Sequence, residues 1–238
     1  MERQDNVIEV KGLSYSYPGG ERALEGVSFG VRKGEAFAVV GPNGSGKTTL
    51  LLSLMGLLKF RGEIRIFGHQ LNGKGLRELR KKIGFVFQDP DTRLFVPTVG
   101  EDVAFGPRQL GYSGEETKKM VKEALMAVGM EGYERRFTHR LSYGEKRKIA
   151  LATALVLKPE ILIFDEPTSN LDPASRREFL DLIGGLNCTR IFATHDMDMV
   201  RRIADKALVL FEGRKAAEFE VDSLLESPER LKNGGSLR

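Results

Sequence analysis

A glycine-rich segment at residues 41–48 has the residue types that bind phosphate. Its sequence is Gly41-Pro42-Asn43-Gly44-Ser45-Gly46-Lys47-Thr48. It matches the pattern G-x-x-x-x-G-K-[ST], in which glycines allow backbone amides to surround phosphate oxygens. A helix that begins at Lys47 would add the partial positive charge of its N-terminus. We therefore expect this segment and Thr49 to bind a nucleotide, with Lys47 on the β- and γ-phosphates and the Thr48 hydroxyl on Mg²⁺.

Two neighbouring carboxylates, Asp165 and Glu166, end the apolar run at residues 161–164. The run is typical of a buried strand, and open α/β sheets bind ligands at the C-terminal ends of such strands. Asp165 is the candidate Mg²⁺ ligand, and Glu166 is the candidate general base that accepts a proton from the attacking water. A solvated strand end would give the same pattern. The phosphate-binding segment in the same chain favours the catalytic interpretation.

A third segment, Leu141-Ser142-Tyr143-Gly144-Glu145, directly precedes an expected helix. Ser142 followed three residues later by Glu145 is typical of a capping box, in which each side chain binds the backbone of the other residue. The same helix N-terminus could also present Ser142 and backbone amides to a phosphate. The two interpretations are compatible, and the spacing alone favours the capping box.

Strands that alternate with helices position these residues and predict an α/β fold with a mainly parallel sheet. Hydrophobic patterns and turn residues predict strands over residues 7–17, 23–31, 35–40, 60–67, 83–88, 161–165, 190–194, 207–212 and 214–219. The same signals predict helices over residues 47–58, 114–128, 143–157, 173–183 and 197–204. Pro90, Pro97 and Pro107 indicate a loop-rich region at residues 89–110, and the helices after it indicate a helical insertion into the α/β core.

The composition is that of an ordinary globular protein of 238 residues, which is enough for one sizeable core or a core with a smaller lobe. The formal net charge of +4 is mild, so no nucleic-acid partner is expected. Cys188 is the only cysteine, which excludes an internal disulfide and fits a reducing cytoplasm. No apolar stretch reaches the ~20 residues that a membrane-spanning helix needs, so work at a membrane would require docking to another chain.

The order of the motifs along the chain resembles that of the ATP-binding domain of ABC transporters. After the phosphate-binding segment come Gln88, Leu141-Ser142-Tyr143-Gly144, Asp165-Glu166, Ser169-Asn170-Leu171-Asp172 and His195. The resemblance covers nearly the whole chain, and several motifs in order are far more specific than any one. It implies a P-loop NTPase (RecA-like) fold. The expected parts are a mainly parallel core with an antiparallel β subdomain (residues 1–88 and 158–225), a helical subdomain (89–157) and a polar tail (226–238).

The resemblance assigns further residues to ATP and Mg²⁺. It implies that Tyr17 stacks on the adenine, although an aromatic residue at a strand end can equally cover the core. Gln88 would contact Mg²⁺ or the attacking water and link the site to a transmembrane partner. His195 would act as a catalytic switch. An isolated histidine is usually structural, but this one follows a predicted strand, so it should project from the sheet edge that carries Asp165 and Glu166.

In the family two such domains pack head to tail, with ATP between the phosphate-binding segment of one and the Leu-Ser-x-Gly segment of the other. Ser142, Gly144, Glu145 and Asp172 would therefore act on the partner's nucleotide, and a lone monomer should hydrolyse ATP poorly. The chain departs from the usual Leu-Ser-Gly-Gly-Gln at Tyr143 and Glu145. A Cβ at position 143 restricts the backbone, and Glu145 brings a negative charge near a phosphate site. One hypothesis is that this chain forms the weaker site of an asymmetric pair.

Residues 85–107 indicate the branch of the family. They contain Phe85-Val86-Phe87-Gln88-Asp89-Pro90, Leu94-Phe95, Pro97-Thr98-Val99 and Glu101-Asp102-Val103-Ala104-Phe105-Gly106-Pro107. These segments resemble the ATPases of energy-coupling-factor importers, including the cobalt and nickel type, in which two ATPases carry membrane coupling and substrate-binding proteins. The resemblance implies a docking surface that begins at Asp89 and ends at Pro107, and a location at the cytoplasmic face of the cell membrane. An ordinary irregular loop is the alternative, but the apolar residues at 94–105 favour a partner.

Other functions are less well supported by the sequence. A soluble ABC protein that acts on DNA or ribosomes usually carries two ATPase domains, a coiled-coil insertion or zinc-binding cysteines, and none of these is visible. A nucleotide-regulated scaffold without catalysis is disfavoured by the presence of both Lys47 and Glu166. ATPases of this kind do not touch the solute, so the sequence leaves open whether it is a metal ion or a vitamin. It also leaves open the choice between homodimer and heterodimer.

Overall fold

The computed structural model describes residues 6–71, 75–92 and 94–225, with the side chains of Leu224 and Leu225 excepted. The chain forms two compact units. The first comprises Met1–Gly73 and Thr189–Arg238, and the second comprises Lys74–Cys188. The expected polar tail at residues 226–238 lies outside the described residues. The predicted helical subdomain falls within the second unit, and its boundaries stay a prediction.

Strands and helices follow one another closely along the chain. The strands are β1 (Asn6–Ser16), β2 (Arg22–Arg32), β3 (Ala36–Val40), β4 (Arg61–Ile66), β5 (His69–Gln70), β6 (Ile83–Val86), β7 (Ile161–Asp165), β8 (Thr189–Thr194), β9 (Lys206–Phe211) and β10 (Arg214–Glu220). The helices are α1 (Lys47–Leu54), α2 (Leu76–Lys81), α3 (Val99–Gln109), α4 (Gly114–Ala127), α5 (Tyr143–Leu155), α6 (Pro173–Gly184), α7 (Met197–Ile203) and α8 (Asp222–Leu225). Within the described ranges, no helix is both long and apolar enough to cross a membrane.

An antiparallel sheet in the order β2-β1-β4-β5 occupies part of the first unit. On β1, Ile8 pairs with Val31 of β2 on one side and with Ile66 of β4 on the other. All three side chains are buried, so this row of cross-strand contacts forms the apolar side of the sheet. The sheet is the antiparallel β subdomain that the sequence predicts.

A second group of strands in the first unit has the order β10-β9-β3-β8. Strand β3 is parallel to both of its neighbours, and β10 is antiparallel to β9. All five residues of β3 are buried, which is typical of a parallel strand that is covered on both faces. The predicted α/β fold class with a mainly parallel core is confirmed.

The second unit contains one parallel strand pair and most of the helices. Strand β6 runs parallel to β7, with Val86 opposite Phe164. Helices α3, α4 and α5 pack against one another, and α5 also packs against β6. The helical insertion expected after the loop-rich region is therefore present.

The predicted loop-rich region at residues 89–110 is wrong for its second half. Residues Val99–Gln109 form helix α3, even though Pro107 lies inside it. Val99, Val103 and Ala104 are buried and form the apolar face of this helix. Packing of that face against α4 and α5 outweighs the helix-breaking tendency of proline, which here falls near the C-terminal end of the helix.

Candidate functional site

The glycine-rich loop of the first unit connects β3 to α1, as predicted for a phosphate-binding loop. Its backbone packs closely against the rest of this unit. A Cβ at Gly41 would lie 2.2 Å from the Leu210 carbonyl oxygen, and a Cβ at Gly46 would lie 2.4 Å from the Ala23 carbonyl oxygen. Gly46 also has a φ of 99°, a conformation that favours glycine. A side chain at either position would therefore displace the loop.

Groups that suit a phosphate are concentrated at residues 45–47. Lys47 Nζ donates to the carbonyl oxygens of Gly41 at 2.9 Å and Pro42 at 3.2 Å, and Lys47 is only 7% exposed. Ser45 Oγ is buried and has no hydrogen-bond partner among the described residues. Helix α1 begins at Lys47, which adds the N-terminal end of a helix dipole. The Lys47 ammonium, the Ser45 hydroxyl and the N-terminus of α1 are together suited to bind the phosphates of a nucleotide.

The Tyr17 side chain is hydrogen-bonded to the first turn of α1. Its hydroxyl shares a 2.9 Å hydrogen bond with Thr49 Oγ1, and its ring meets the Tyr15 ring edge-on at a centroid distance of 5.1 Å. Tyr17 is 42% exposed, so much of its ring does not cover the core. Thr48 is exposed, whereas Thr49 is buried. Stacking of Tyr17 on adenine stays a prediction.

His195 directly follows β8, the parallel neighbour of β3. Val40 of β3 and Thr194 of β8 are register partners, so Gly41 and His195 leave adjacent strands at the same level. His195 is exposed. Because parallel strands present their C-terminal ends at one edge of a sheet, the first unit brings the histidine and the start of the phosphate loop to the same edge.

Asp165 and Glu166 lie at the C-terminal end of β7 in the second unit. Phe164 of β7 is the register partner of Val86 on β6, so Gln88 follows at the corresponding end of the adjacent strand. Asp165 and Glu166 are 5% and 7% exposed, which contradicts the alternative of a solvated strand end. Gln88 is exposed. Buried carboxylates beside a chain segment with an amide side chain suit metal binding and proton transfer.

Arg147 on α5 is a residue that the sequence analysis did not single out. It is the largest fully buried side chain among the described residues. Its guanidinium donates to the carbonyl oxygens of Phe87 at 2.8 Å, Glu166 at 3.3 Å and Ser169 at 3.2 Å, and to Ser169 Oγ at 2.8 Å. The only signal for it in the sequence is a cation next to the apolar part of a predicted helix, which is a weak signal.

The segment that precedes α5 forms the predicted capping box. Ser142 Oγ accepts a hydrogen bond from the Glu145 N–H at 3.2 Å, and the Glu145 carboxylate accepts one from the Ser142 N–H at 2.8 Å. The bond from Ser142 lowers the pKa of Glu145, and a 3.0 Å hydrogen bond from the Tyr133 hydroxyl lowers this pKa further. The charge of Glu145 is therefore stabilised within the second unit itself.

Positions 143 and 144 are both glycine in the family's usual Leu-Ser-Gly-Gly-Gln segment, and in this chain they are tyrosine and glycine. Tyr143 is the first residue of α5 and does not have a positive φ, so its Cβ is placed in a backbone conformation that ordinary residues adopt. A Cβ at Gly144 would lie 2.9 Å from Ser175 Oγ, so a side chain there would require Ser175 to shift. Asp172 caps the neighbouring helix α6 by accepting hydrogen bonds from the Ala174 N–H at 3.0 Å and the Ser175 N–H at 3.1 Å. Action of these residues on a partner's nucleotide stays a prediction.

The expected docking segment, residues 89–107, contains both buried and exposed apolar side chains. Val99 and Val103 are fully buried and belong to the core of the second unit. Phe95 and Phe105 are 61% and 42% exposed, and their rings contact each other edge-on at a centroid distance of 5.0 Å. The segment from Val99 onward lies in helix α3, and the exposed large apolar side chains among the described residues of 89–107 are Phe95 and Phe105.

Comparisons with known proteins identify the family of this chain. The family described as ABC transporter matches residues 24–169. An energy-coupling factor transporter ATP-binding protein of Methanocaldococcus jannaschii is 46% identical over 214 residues, which cover 87% of this chain and 77% of the relative. The structure of cbiO1 from Clostridium perfringens, part of the ABC transporter complex cbiONQ, aligns with a TM-score of 0.86 and 37% identity, covering 96% of this chain and 94% of that one.

A second solved structure concerns the reaction. It is a dimeric ATP-binding cassette in a post-hydrolysis state bound to ADP and Pi, and it aligns with a TM-score of 0.79 and 30% identity, covering 90% of this chain and 98% of that one. The fold and the phosphate loop define a P-loop ATPase. The chain belongs to the ABC transporter family, as a subunit that binds and hydrolyses ATP.

Proposed function

We propose that this chain supplies the energy of ATP hydrolysis to an importer of the energy-coupling-factor type, which moves a small solute through separate membrane subunits. The observation that carries this proposal is the 46% identity to an energy-coupling factor ATP-binding protein. The 37% identity to cbiO1, a part of the cbiONQ complex, supports the same branch. The solute is a metal ion or a vitamin, as in other importers of this branch.

The proposed catalytic roles follow the chemistry of each side chain. Lys47 binds and stabilises the transferring phosphate, and Glu166 accepts the proton of the attacking water. Thr48, Gln88 and Asp165 would hold Mg²⁺, because all three offer the oxygen ligands that this ion prefers. Bound Mg²⁺ neutralises charge that develops on the phosphoryl group. His195 is the proposed switch that responds to the terminal phosphate.

The proposed active form is a head-to-tail dimer. The Ser142 hydroxyl and the N-terminus of α5 would contact the partner's nucleotide, together with Gly144 and Asp172. Glu145 would contribute to this contact indirectly, by capping the N-terminus of α5. Its carboxylate already accepts hydrogen bonds from the Ser142 N–H and the Tyr133 hydroxyl. It stays a hypothesis that this chain forms an asymmetric dimer, in which the nucleotide site that uses its Leu-Ser-x-Gly segment is the weaker one. A purified homodimer with ordinary cooperative ATPase activity would contradict it.

The proposed docking surface for a membrane subunit is the exposed aromatic pair Phe95 and Phe105. Two large apolar side chains that contact each other and are both exposed favour a partner, because apolar patches are costly in water. Docking there would hold the chain at the cytoplasmic face of the cell membrane. No nucleic-acid partner is proposed.

Co-purification from detergent-solubilised membranes tests the proposal. We expect integral membrane proteins to co-purify with the wild-type chain and to be lost from the double variant Phe95→Ser/Phe105→Ser. Met126→Ser is the matched control, because Met126 is 57% exposed, close to the 61% of Phe95, and lies outside the docking surface. Recovery of ribosomes or DNA in place of membrane proteins would favour the alternative, a soluble ABC ATPase.

A further inference from the structure

Arg147 is a charged side chain at a position where proteins rarely bury one. It is 0% exposed, and burial lowers the pKa of its guanidinium. The bonds that offset this burial go mainly to neutral backbone carbonyls and a hydroxyl. A buried charge is costly unless its hydrogen-bond donors are satisfied, so an apolar residue of similar size would be the simpler way to fill the space. The position of the charge therefore calls for a functional explanation.

The acceptors of Arg147 belong to three segments that carry proposed functional residues. The Phe87 carbonyl directly precedes Gln88, the second acceptor is the carbonyl of Glu166 itself, and Ser169 begins the segment that ends at Asp172. A planar guanidinium fixes the directions of its donors, so one side chain holds these segments in a set geometry. All of them lie in the second unit.

The backbone of Glu166 shows why such support is needed. Its φ is 43°, in the left-handed region that a glutamate rarely adopts. Its carbonyl oxygen accepts three hydrogen bonds, from an Arg147 nitrogen at 3.3 Å, from Ser169 Oγ at 2.9 Å and from the Ser169 N–H at 3.2 Å. A strained backbone conformation persists only where several surrounding contacts hold it in place. Arg147 provides two such contacts, because it donates hydrogen bonds to this carbonyl and to the Ser169 hydroxyl.

Tyr143 adds a contact that the usual glycine of the family's signature could not make. It lies one helical turn before Arg147, and its hydroxyl accepts a hydrogen bond from the guanidinium at 3.4 Å. The same hydroxyl lies 3.5 Å from the Gln88 carbonyl oxygen. Tyr143 therefore connects the guanidinium with the Gln88 segment, and both bonds are long enough to predict a modest effect.

We propose that Arg147 is a positioning residue for ATP hydrolysis, which holds the Glu166 backbone and the Gln88 segment in the geometry used for turnover, with Tyr143 fixing the guanidinium. This inference rests on the proposed role of Glu166 as the general base. Arg147 acts through the residues that it holds. Misplacing a catalytic group by a fraction of an ångström reduces the rate of the chemical step more than the affinity for substrate.

Steady-state kinetics of full-length variants test the inference. We expect Arg147→Met to lower kcat by on the order of 10²-fold while the affinity for a slowly hydrolysed ATP analogue changes less than about threefold. Arg147→Lys should recover part of this loss, and Tyr143→Phe should cost about two- to threefold in kcat. Lys148→Met, which removes the neighbouring and partly exposed cation of the same helix, is the matched control and should leave kcat unchanged.

A purely structural role would lower the melting temperature and the folded fraction without changing kcat per folded molecule. That result, or a normal kcat in folded Arg147→Met, overturns the inference. If Arg147→Met does not fold, Arg147→Lys and Tyr143→Phe decide the question, and wild-type kcat in both overturns it. Glu166→Gln separates the two proposals. Turnover by that variant would remove Glu166 as the base, whereas an inactive Glu166→Gln beside active Arg147 variants rejects only the positioning role.

Discussion

The hydroxyl groups of Tyr17 and Thr49 share a hydrogen bond of 2.9 Å, which joins the proposed adenine-stacking ring to the first turn of the helix that follows the phosphate loop. The covalent structure of ATP limits how far apart its adenine and its phosphates can lie. A direct bond between the two recognition elements therefore sets their spacing before the nucleotide arrives, and the effect of the ring can be separated from that of the hydroxyl.

Substitutions of Tyr17 should separate these two effects. Tyr17→Phe keeps the ring and loses one partly exposed hydrogen bond, so we expect the Kd for ATP to rise no more than about threefold. Tyr17→Ala removes the stacking surface, and we expect Kd to rise about tenfold. Titration with a fluorescent ATP analogue measures both values. Unchanged affinity in Tyr17→Ala would leave Tyr17 with only a packing role.

Glu166→Gln should separate binding from hydrolysis. The amide keeps the size of the side chain but cannot accept the proton of the attacking water, so turnover should fall by at least about 10²-fold while ATP still binds. With MgATP the variant should accumulate as a dimer on size-exclusion chromatography. Glu178→Gln, on the exposed face of α6, is the matched control and should release phosphate at the wild-type rate.

Lys47→Ala should weaken the grip on the terminal phosphates and stop hydrolysis. The ammonium is held at the phosphate loop by the Gly41 and Pro42 carbonyls, and a charge-assisted bond to phosphate is stronger than a neutral one. We expect the affinity for ATP to fall about tenfold or more in equilibrium binding. Lys33→Ala removes an exposed lysine of the same unit and should bind ATP normally. Tight ATP binding by Lys47→Ala would contradict the assigned role.

Gly144→Ala should destabilise the second unit by about 1–3 kcal/mol, because the new Cβ would lie 2.9 Å from Ser175 Oγ and 3.2 Å from Ser175 Cβ. Adding Ser175→Gly should restore part of the loss. Gly114→Ala is the matched control, since a Cβ at this helix-starting glycine has no heavy atom within 4 Å. Thermal unfolding compares the three variants. An equal melting temperature for Gly144→Ala and wild type would show that Ser175 moves away at little cost.

Glu145→Gln should change the pH dependence of stability. The Ser142 N–H holds the pKa of Glu145 below its usual value of about 4.5, so the carboxylate favours the folded state. That contribution is fully present above the unfolded pKa and is lost as pH falls through the lower folded pKa. We therefore expect the variant to be less stable than wild type at pH 7, with a difference that shrinks progressively as the pH is lowered below 4.

Thermal unfolding between pH 3 and pH 7 measures this effect, and Glu116→Gln provides the comparison. Glu116 forms the equivalent capping box with Ser113 at the start of α4, and the Ser113 N–H lowers its pKa too. Both variants should show the same sign. Turnover of Glu145→Gln should stay within about twofold of wild type, because its charge is already stabilised in the second unit. A large gain in turnover would show that the charge weakens the nucleotide site.

The phosphate loop and the strand before Asp165 could be predicted because their signals are local. A buried apolar run, a glycine-rich loop and a helix succeed one another within a few residues, and each has its own pattern. Helix α3 was missed because Pro107 is a local signal for a loop, whereas the packing that sustains the helix comes from α4 and α5. In helix α3, tertiary contacts therefore outweigh the low local helix propensity.

Arg147 could not have been found from sequence, because its partners are distant along the chain. The Phe87 carbonyl that it binds lies 60 residues earlier. The conformation of Tyr143 could not be predicted for a related reason. The sequence shows a missing glycine but not the φ that the backbone adopts, and Tyr143 has an ordinary helical conformation at the start of α5.

Val40 and Thr194 are register partners, although the entire second unit separates them along the chain. The alignment of the phosphate loop with His195 is thus encoded in ladder hydrogen bonds and not in the length of the connecting polypeptide. Insertions between the two strands leave that alignment intact. A single-residue deletion within β8, by contrast, would turn its side chains to the opposite face and shift His195 relative to the end of β3. Fusion tags and domain insertions therefore belong in intervening loops that carry no site residue, and not within either strand.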